Sequence, residues 1–505
     1  MTHLKCFCNV EMVSFLRGLF VTGLLMGMLL ICSPAQADSG GGDGPGGVGN
    51  TDGSSNLKLW LKADDGVYSN TSCTTPAGND SFVACWADQS GNGYDFTQGT
   101  AGYQPTYRTN GINARSTLQF DGISQFLERS YTVDLNGGSF TAYIVAIATA
   151  GAGTIRSPLA SICNASGWSG YIFYAADSDW WNFWARKSTG WSRETGVEVD
   201  SLKWHIFSGS YDDQITGAQL FEIDGTNYGE QYFTPYINNP SCPMRIGAGE
   251  TQQVSPGAYF PGDIAEVIIY NTALPLAQRV LINNYLNEKY NLEINNDRYF
   301  NRDPLYLEDV AGIGQESDGI NHKAVSAGMI LANDSFLKDN GDYILSGHTP
   351  ADNDNINTDL PTEGDWADGN NQRWKRIWYL QVTNKDTQNG LVDITFDISD
   401  SGMLGNFTGV GSNYRLLKRT DTNGTFTDIA SATLINGDQV LFDNVDVSLL
   451  DGYITLGTVN YVSSPTAITL YDLRGRSAEI TLIISGLLLS IAGVIYLFAG
   501  LQKLK

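Results

Sequence analysis

From Leu57 onward the chain is broken again and again by glycine, asparagine and aspartate, and this spacing constrains the fold more than any other feature. Between the breaks lie short apolar runs at residues 57–61, 140–146, 171–174, 180–186, 204–210, 219–223 and 264–270. Runs of this length bounded by turn residues read as strands, and many of them in succession predict a β-sandwich. Asp224-Gly225 sits between two of the runs, which is a hairpin signal. One segment departs from the pattern. Residues 274–290 set Leu276, Val280, Leu281, Tyr285 and Leu286 at 3-4 spacing, with Pro275 suited to a first turn. A helix is expected there, following directly on the strand at 264–270 and packing across the sandwich edge.

The polar stretch 295–304 marks a boundary, and a second β-rich block follows from about Asp309. Its strand candidates are 343–346, 377–382, 392–398, 414–418 and 453–459, with a hairpin turn at Asp421-Thr-Asn-Gly424. Trp374 and Trp378 alternate with Arg376 there and are expected in the core. The organisation read from the chain is all-β, with one sandwich over 56–294 and a second, unrelated in sequence, over 305–462.

The ends are different in kind. Lys5 and Arg17 precede an uncharged run of 14 residues, 18–31, and Ala35-Gln36-Ala37 offers a small-residue cleavage site. This order reads as a secretory signal peptide over 1–37; a lipoprotein at Cys32 is disfavoured by Ile31 in front of it. Residues 38–55 hold eight glycines between Ser39 and Ser55 and no large apolar side chain, and are expected to be a flexible linker. After a short stalk at 463–479, residues 480–501 are 22 residues without a charge, long enough to span a bilayer. Lys503 and Lys505 in the tail 502–505 place that end in the cytoplasm. The variant in which the tail is a sorting signal stays open. Removing residues 1–37, which carry +1, takes the formal net charge from −24 to −25. So acidic a body argues against nucleic acid as a partner. Four cysteines remain in an exported chain, which implies two disulfides. Of the three pairings, Cys73–Cys85 with Cys163–Cys242 is favoured because the first closes a local loop.

Four segments resemble the laminin-G-like, concanavalin A-like domains of bacterial surface proteins. Leu59-Trp-Leu-Lys-Ala-Asp-Asp-Gly66 is similar to the opening strand. Trp86-Ala-Asp-Gln-Ser-Gly-Asn-Gly93 resembles the Trp-x-Asp-x-Ser-Gly-x-Gly turn. Phe120-Asp-Gly122 and the run from Phe260 to Tyr270 resemble the middle and closing strands. The resemblance covers 56–294 and implies a concanavalin A-like jelly roll. It says little of function, since that fold hosts lectins, adhesins and glycanases alike. The second block resembles a β-rich module of unknown function through Gly312-Ile-Gly-Gln-Glu316, Arg376-Ile-Trp378 and Phe396-Asp-Ile-Ser399.

Catalytic signatures are poor. The fold's glycanases place three acids along one strand; Glu222-Ile223-Asp224 begins such a motif, but Thr226 and Asn227 stand where the third acid belongs. His205, His322 and His348 are scattered, and Gly167-Trp-Ser-Gly170 is one residue short of a nucleophile elbow. Calcium is the cofactor expected to fit best, at Asp88 with Asn92 or at Asp352, Asp354, Asn357 and Asp359; a solvated polar loop is the plainer reading of each. The aromatic hairpin carries Trp180, Trp181, Phe183, Trp184 and Trp191. Alternation sends Trp180 and Trp184 to one face and Trp181 and Phe183 to the other. One face is core, and the other is a candidate platform for sugar rings. The expected role is a membrane-anchored surface protein that binds a glycan or protein ligand. A structural spacer and a glycan-cleaving enzyme are the alternatives.

Overall fold

The computed structural model describes residues 42–149, 156–175, 180–200, 202–213, 217–250, 255–301, 304–350, 355–368, 371–384, 390–398 and 413–459. The expected signal peptide, stalk, membrane span and tail lie outside the described residues. Among the described residues no helix is long and apolar enough to cross a membrane.

The first sandwich is two antiparallel sheets. One is 8-stranded and runs Thr226–Tyr232, Ala218–Ile223, His205–Asp212, Phe140–Ala148, Pro261–Tyr270, Arg115–Asp121, Thr106–Ile112, with Leu57–Lys62 also paired to Pro261–Tyr270. The other is 9-stranded and runs Gly190–Glu198, Trp180–Lys187, Ser169–Ala175, Arg156–Cys163, Met244–Ile246, Leu127–Arg129, Phe96–Thr97, Cys85–Trp86, Val67–Tyr68. Between them lies a core that includes Trp86, Phe140, Tyr171, Phe173, Trp181, Phe183 and Phe221. Asp224 and Gly225 both adopt positive φ (52° and 71°) between Ile223 and its partner Thr226. That is the conformation a two-residue hairpin turn requires. Disulfides join Cys73 to Cys85 and Cys163 to Cys242.

The second sandwich pairs a sheet containing Glu308–Glu316, Asp342–His348, Trp378–Val382 and Gly452–Thr458 with a 5-stranded sheet around Leu391–Asp397. Trp374 and Trp378 pack in its core against Phe396.

The helix Leu276–Tyr290 does not lie at a sandwich edge. It is laid over the outer face of the 8-stranded sheet and under the second sandwich, so that none of its residues is fully exposed. Tyr285 and Tyr290 reach Glu266 of the sheet, at 2.9 and 2.7 Å. From the opposite side Asn284 bonds Asn296 O and Arg298 N, and Gln278 reaches Asn321. One apolar cluster therefore joins Trp60, Tyr143 and Ile268 of the first sandwich, Leu281 and Leu286 of the helix, and Tyr299, Tyr343 and Tyr379 beyond it. The 3-4 pattern identified the helix, but its buried asparagines hide that it has two partners.

The glycine-rich segment corrects a second expectation. From Gly42 it is packed rather than flexible, with Val48 1% exposed. Gly42 O accepts from Val325 N, Gly47 O from Asn321 Nδ2, and Val48 O from the Tyr270 hydroxyl. The segment is a wedge between helix and second sandwich. A Cβ on Gly46 (φ +69°) would stand 2.7 Å from Leu281 O, and one on Gly47 2.5 Å from Ala324 Cβ. Glycine is present there because backbone approaches backbone.

Candidate functional site

The helix covers the 8-stranded sheet, so the open face of the first sandwich is the outer side of the 9-stranded one. Alternation along each strand decides what stands on it. In Trp180–Lys187, Trp181 and Phe183 point inward, 1% and 0% exposed, and belong to the core. Both were candidates for ligand contact, and the structure removes them. Trp184 is on the outer face and half-buried. Trp180, opposite Glu198, is half-buried and stands apart from the cavity described next.

Trp184 and Trp191 are joined on the outer face by Trp168, with ring centroids 6.0 Å (Trp184 to Trp191) and 6.2 Å (Trp168 to Trp191) apart. Tyr174 meets Trp184 edge-on at 4.5 Å. With Ile162, Ile172, Ala258 and Glu250 they line a cavity of about 150 Å³. The Arg193 guanidinium lies 3.8 Å above the Trp184 ring, a cation–π contact that holds the indole flat. Glu250 is 8% exposed; its Oε1 accepts from Asn164 N at 2.7 Å, while Oε2 has no hydrogen-bond partner and lies 3.8 Å from Arg245 Nη1. Burial pushes its carboxyl up. A buried acceptor without a donor is costly.

The site continues across the sheet. Register places Trp184, Ile172, Ala160, Arg245, Glu128 and Thr97 in one row on adjacent strands. Arg245 Nε bonds Glu128 Oε2 at 3.1 Å. Beyond it, Thr97, Glu128, Arg129 and Pro243 border a second cavity of about 450 Å³. Glu128 and Glu250 flank the Arg245 guanidinium, at 3.1 and 3.8 Å.

The Glu222-Ile223-Asp224 acids are placed elsewhere. Glu222 is buried under the helix, bonded to Ser208 and to Arg279 Nε at 3.1 Å. Asp224 pairs with His205 at 2.7 Å.

At Asp88 the lone pairs that a calcium ion would need are engaged in hydrogen bonds within the chain. The Asp88 carboxylate accepts from Trp60 N, Ser90 N, Ser90 Oγ and Tyr94 N, between 2.8 and 3.0 Å, which fills its lone pairs. Asn92 donates to Leu57 O and Ser90 Oγ. Asp88 thus ties the Ser-Gly-Asn-Gly turn to the opening strand. Asp359 is held by Arg373 at 2.8 Å, Asn357 is exposed, and Asp352 and Asp354 lie outside the described residues. The groupings Cys73/Cys85/Asp95 and Cys163/Cys242/Glu250 have metal-like spacing, but their sulfurs are tied in the disulfides.

Trp168 and Glu250 escaped the sequence reading. Trp168 is the residue inside Gly167-Trp-Ser-Gly170, and Glu250 belongs to the short pairing of Gly249–Glu250 with Pro256–Gly257. The only signal for Trp168 was its aromatic character beside the hairpin; nothing local marked Glu250.

Residues 121–278 match the family described as the concanavalin A-like lectin/glucanases superfamily, so the chain carries a domain of that class. No curated protein matches the chain. Among solved structures, domain 4 of a GH43 extracellular arabinanase from Geobacillus stearothermophilus, in complex with arabinotriose, is similar at 15% identity, covering 45% of this chain and 96% of that one, with a TM-score of 0.31. The CBM40 of a Ruminococcus gnavus sialidase bound to α2,3-sialyllactose is similar at 12% identity over 32% of this chain and 93% of that one (TM-score 0.26). A Trypanosoma rangeli sialidase is similar at 13% identity over 48% of this chain (TM-score 0.32), which spans about 34% of that enzyme's length.

Proposed function

We propose that this protein is an exported, membrane-anchored surface protein that binds a neutral glycan on the open sheet of its concanavalin A-like domain. The observation that carries the reading is the aromatic cavity itself: three half-buried tryptophans around a floor whose Glu250 Oε2 lacks a donor. A sugar ring offers both complements at once, an apolar C–H face for Trp184 or Trp191 and hydroxyl groups for Glu250. Such a ligand is expected to be uncharged, since the formal net charge of −24 and the Glu250 and Glu128 carboxylates disfavour anions. The row from Trp184 to Thr97 takes five steps between strands, about 24 Å at about 4.8 Å each, which suits an oligosaccharide lying across the sheet. Anchoring through 480–501, with the bulk outside the cell and residues 502–505 in the cytoplasm, is part of the proposal and rests on the uncharged run and the leader.

The test is a glycan-array screen of the full-length protein in detergent, alongside its Trp184→Ala and Trp191→Ala variants. Saturable binding to neutral oligosaccharides that both variants weaken supports the reading. Binding left undiminished by both substitutions, or none at all by a folded sample, ends it. The second reading, a rigid spacer, is favoured by the helix shared between the two sandwiches, and an unresponsive but folded protein would promote it.

A further inference from the structure

The segment joining the two sandwiches borders another cavity, formed by its own residues and those of the second sandwich. Its volume is about 540 Å³, within the range of ligand pockets, and Arg298, Phe300, Asn301, Asn340, Gln381 and Asp451 face it. The backbone here is pinned by Tyr299, 0% exposed, whose hydroxyl donates to Tyr379 O at 3.0 Å and Tyr306 O at 3.1 Å. With Tyr299 held inward, its neighbour Phe300 is left 57% exposed beside the cavity.

Polar groups converge on the same space. Gln381 is 2% exposed, and its Oε1 accepts from Asn301 N at 2.9 Å. A backbone N–H can only donate, so the carbonyl must face Asn301 and the amide NH2 must turn away from it. Arg298 Nε is buried without an acceptor among the described residues. Across the cavity stand the exposed Asn340 and the carboxylate of Asp451.

We infer that this cavity is a second saccharide site, on the second sandwich, taking a neutral mono- or disaccharide. The C–H face of the ring lies on Phe300. Ring or hydroxyl oxygens accept from Gln381 Nε2 and Arg298, and a hydroxyl donates to Asp451. A purely apolar ligand would leave the buried Arg298 Nε unpaired, and a polyanion would meet Asp451 on a chain of net charge −24. The site shares no residue with the open sheet. Two sites on one body make the chain bivalent, so that glycans presented in arrays are held more tightly than either site alone would hold them.

The test uses the full-length protein in detergent carrying Trp184→Ala and Trp191→Ala together, which removes the open-sheet cavity from the measurement. Saturation-transfer difference NMR is recorded with cellobiose, lactose and mannobiose. At least one of the three is expected to receive saturation; adding Phe300→Ala weakens that binding about tenfold or more, and Phe300→Tyr restores it. Phe300 is exposed, so its replacement does not threaten the fold. The inference is overturned if none of the three sugars receives saturation in the double variant, or if Phe300→Ala leaves the affinity within about twofold. Failure of the open-sheet reading would show separately, as equal binding by the wild type and the double variant.

Discussion

Lys289 and Glu266 meet across the seam between helix and sheet: the ammonium donates to Glu266 Oε2 at 2.8 Å, and the Glu266 side chain is wholly buried. Trp60, Tyr285 and Tyr290 donate to the same carboxylate, and Asp64 holds Lys289 from the other side at 3.0 Å. Burial alone would lower the Lys289 pKa; Glu266 and Asp64 outweigh it and hold it above its ordinary value. Removing one partner of a buried pair leaves a charge uncompensated, at about 3–5 kcal/mol. Lys289→Met is expected to lose that much in urea unfolding; a loss below about 1 kcal/mol would mean that water reaches the pair. The sign with pH follows. A raised lysine stabilises fully below its unfolded pKa, and the contribution disappears as pH rises through the folded value. Asp64 is held below its ordinary value by Lys289 against its own burial. Its contribution is present at neutral pH and lost on acidification.

Asp263 has the opposite sign. Burial pushes its carboxyl up to about 6, against the pull of Arg108 and a hydrogen bond from Gln119. Ionising it in the folded protein therefore costs stability as pH rises from about 4 towards and beyond 6. Asp263→Asn is expected to stabilise by about 1–2 kcal/mol at pH near 8 and to give no gain near pH 3, read from denaturant midpoints at the two pH values. Equal effects at both would refute the assignment.

Neighbouring tryptophans should behave in opposite ways. Trp181→Ala empties a core position and is expected to cost about 3–5 kcal/mol. Trp184→Ala, half-buried on the outer face, should cost clearly less in stability while carrying the loss of glycan binding. Thermal melts of the two variants, recorded beside the array data, make the comparison.

At Asp88 the expectation concerns metal. Its four hydrogen bonds leave no lone pair for a cation, so a chelator should leave the melting temperature unchanged. Asp88→Ala should cost about 1.5–3 kcal/mol through the turn it ties down. A melting temperature that falls with chelator and recovers with calcium would overturn this.

Gly46→Ala tests the wedge. The φ of +69° and the approach of Leu281 O predict a loss of about 2–4 kcal/mol. A free linker would tolerate the change within about 0.5 kcal/mol, and chemical denaturation separates the two.

Much of this was legible before any coordinates, and the reasons for the rest are physical. Strand runs such as 140–146 and 219–223 were visible because a strand between two layers is apolar and its turns need Asn, Asp or Gly; the structure extends them to Phe140–Ala148 and Ala218–Ile223. The glycine segment was misread because composition records the side chains a segment lacks, not the surface pressed against it. Alternation divided the aromatic hairpin correctly into two faces but does not say which is core. That is decided by distant residues such as Phe207, packed at a tilt against Trp181 with ring centroids 4.3 Å apart. Glu250 acquires meaning only because the chain brings it beside Asn164, 86 residues away in sequence.

The helix without a solvent face has a consequence for inheritance. Each sandwich supplies the wall that the other lacks, and the glycine wedge is shaped to both. A recombination event that moved one sandwich to a new chain would carry away half of a shared interior and expose Trp60, Tyr143 and Ile268 or Tyr299, Tyr343 and Tyr379 to water. Gene shuffling should therefore transmit the two sandwiches, the helix and the glycine segment as a single cassette, with exchange tolerated only outside it.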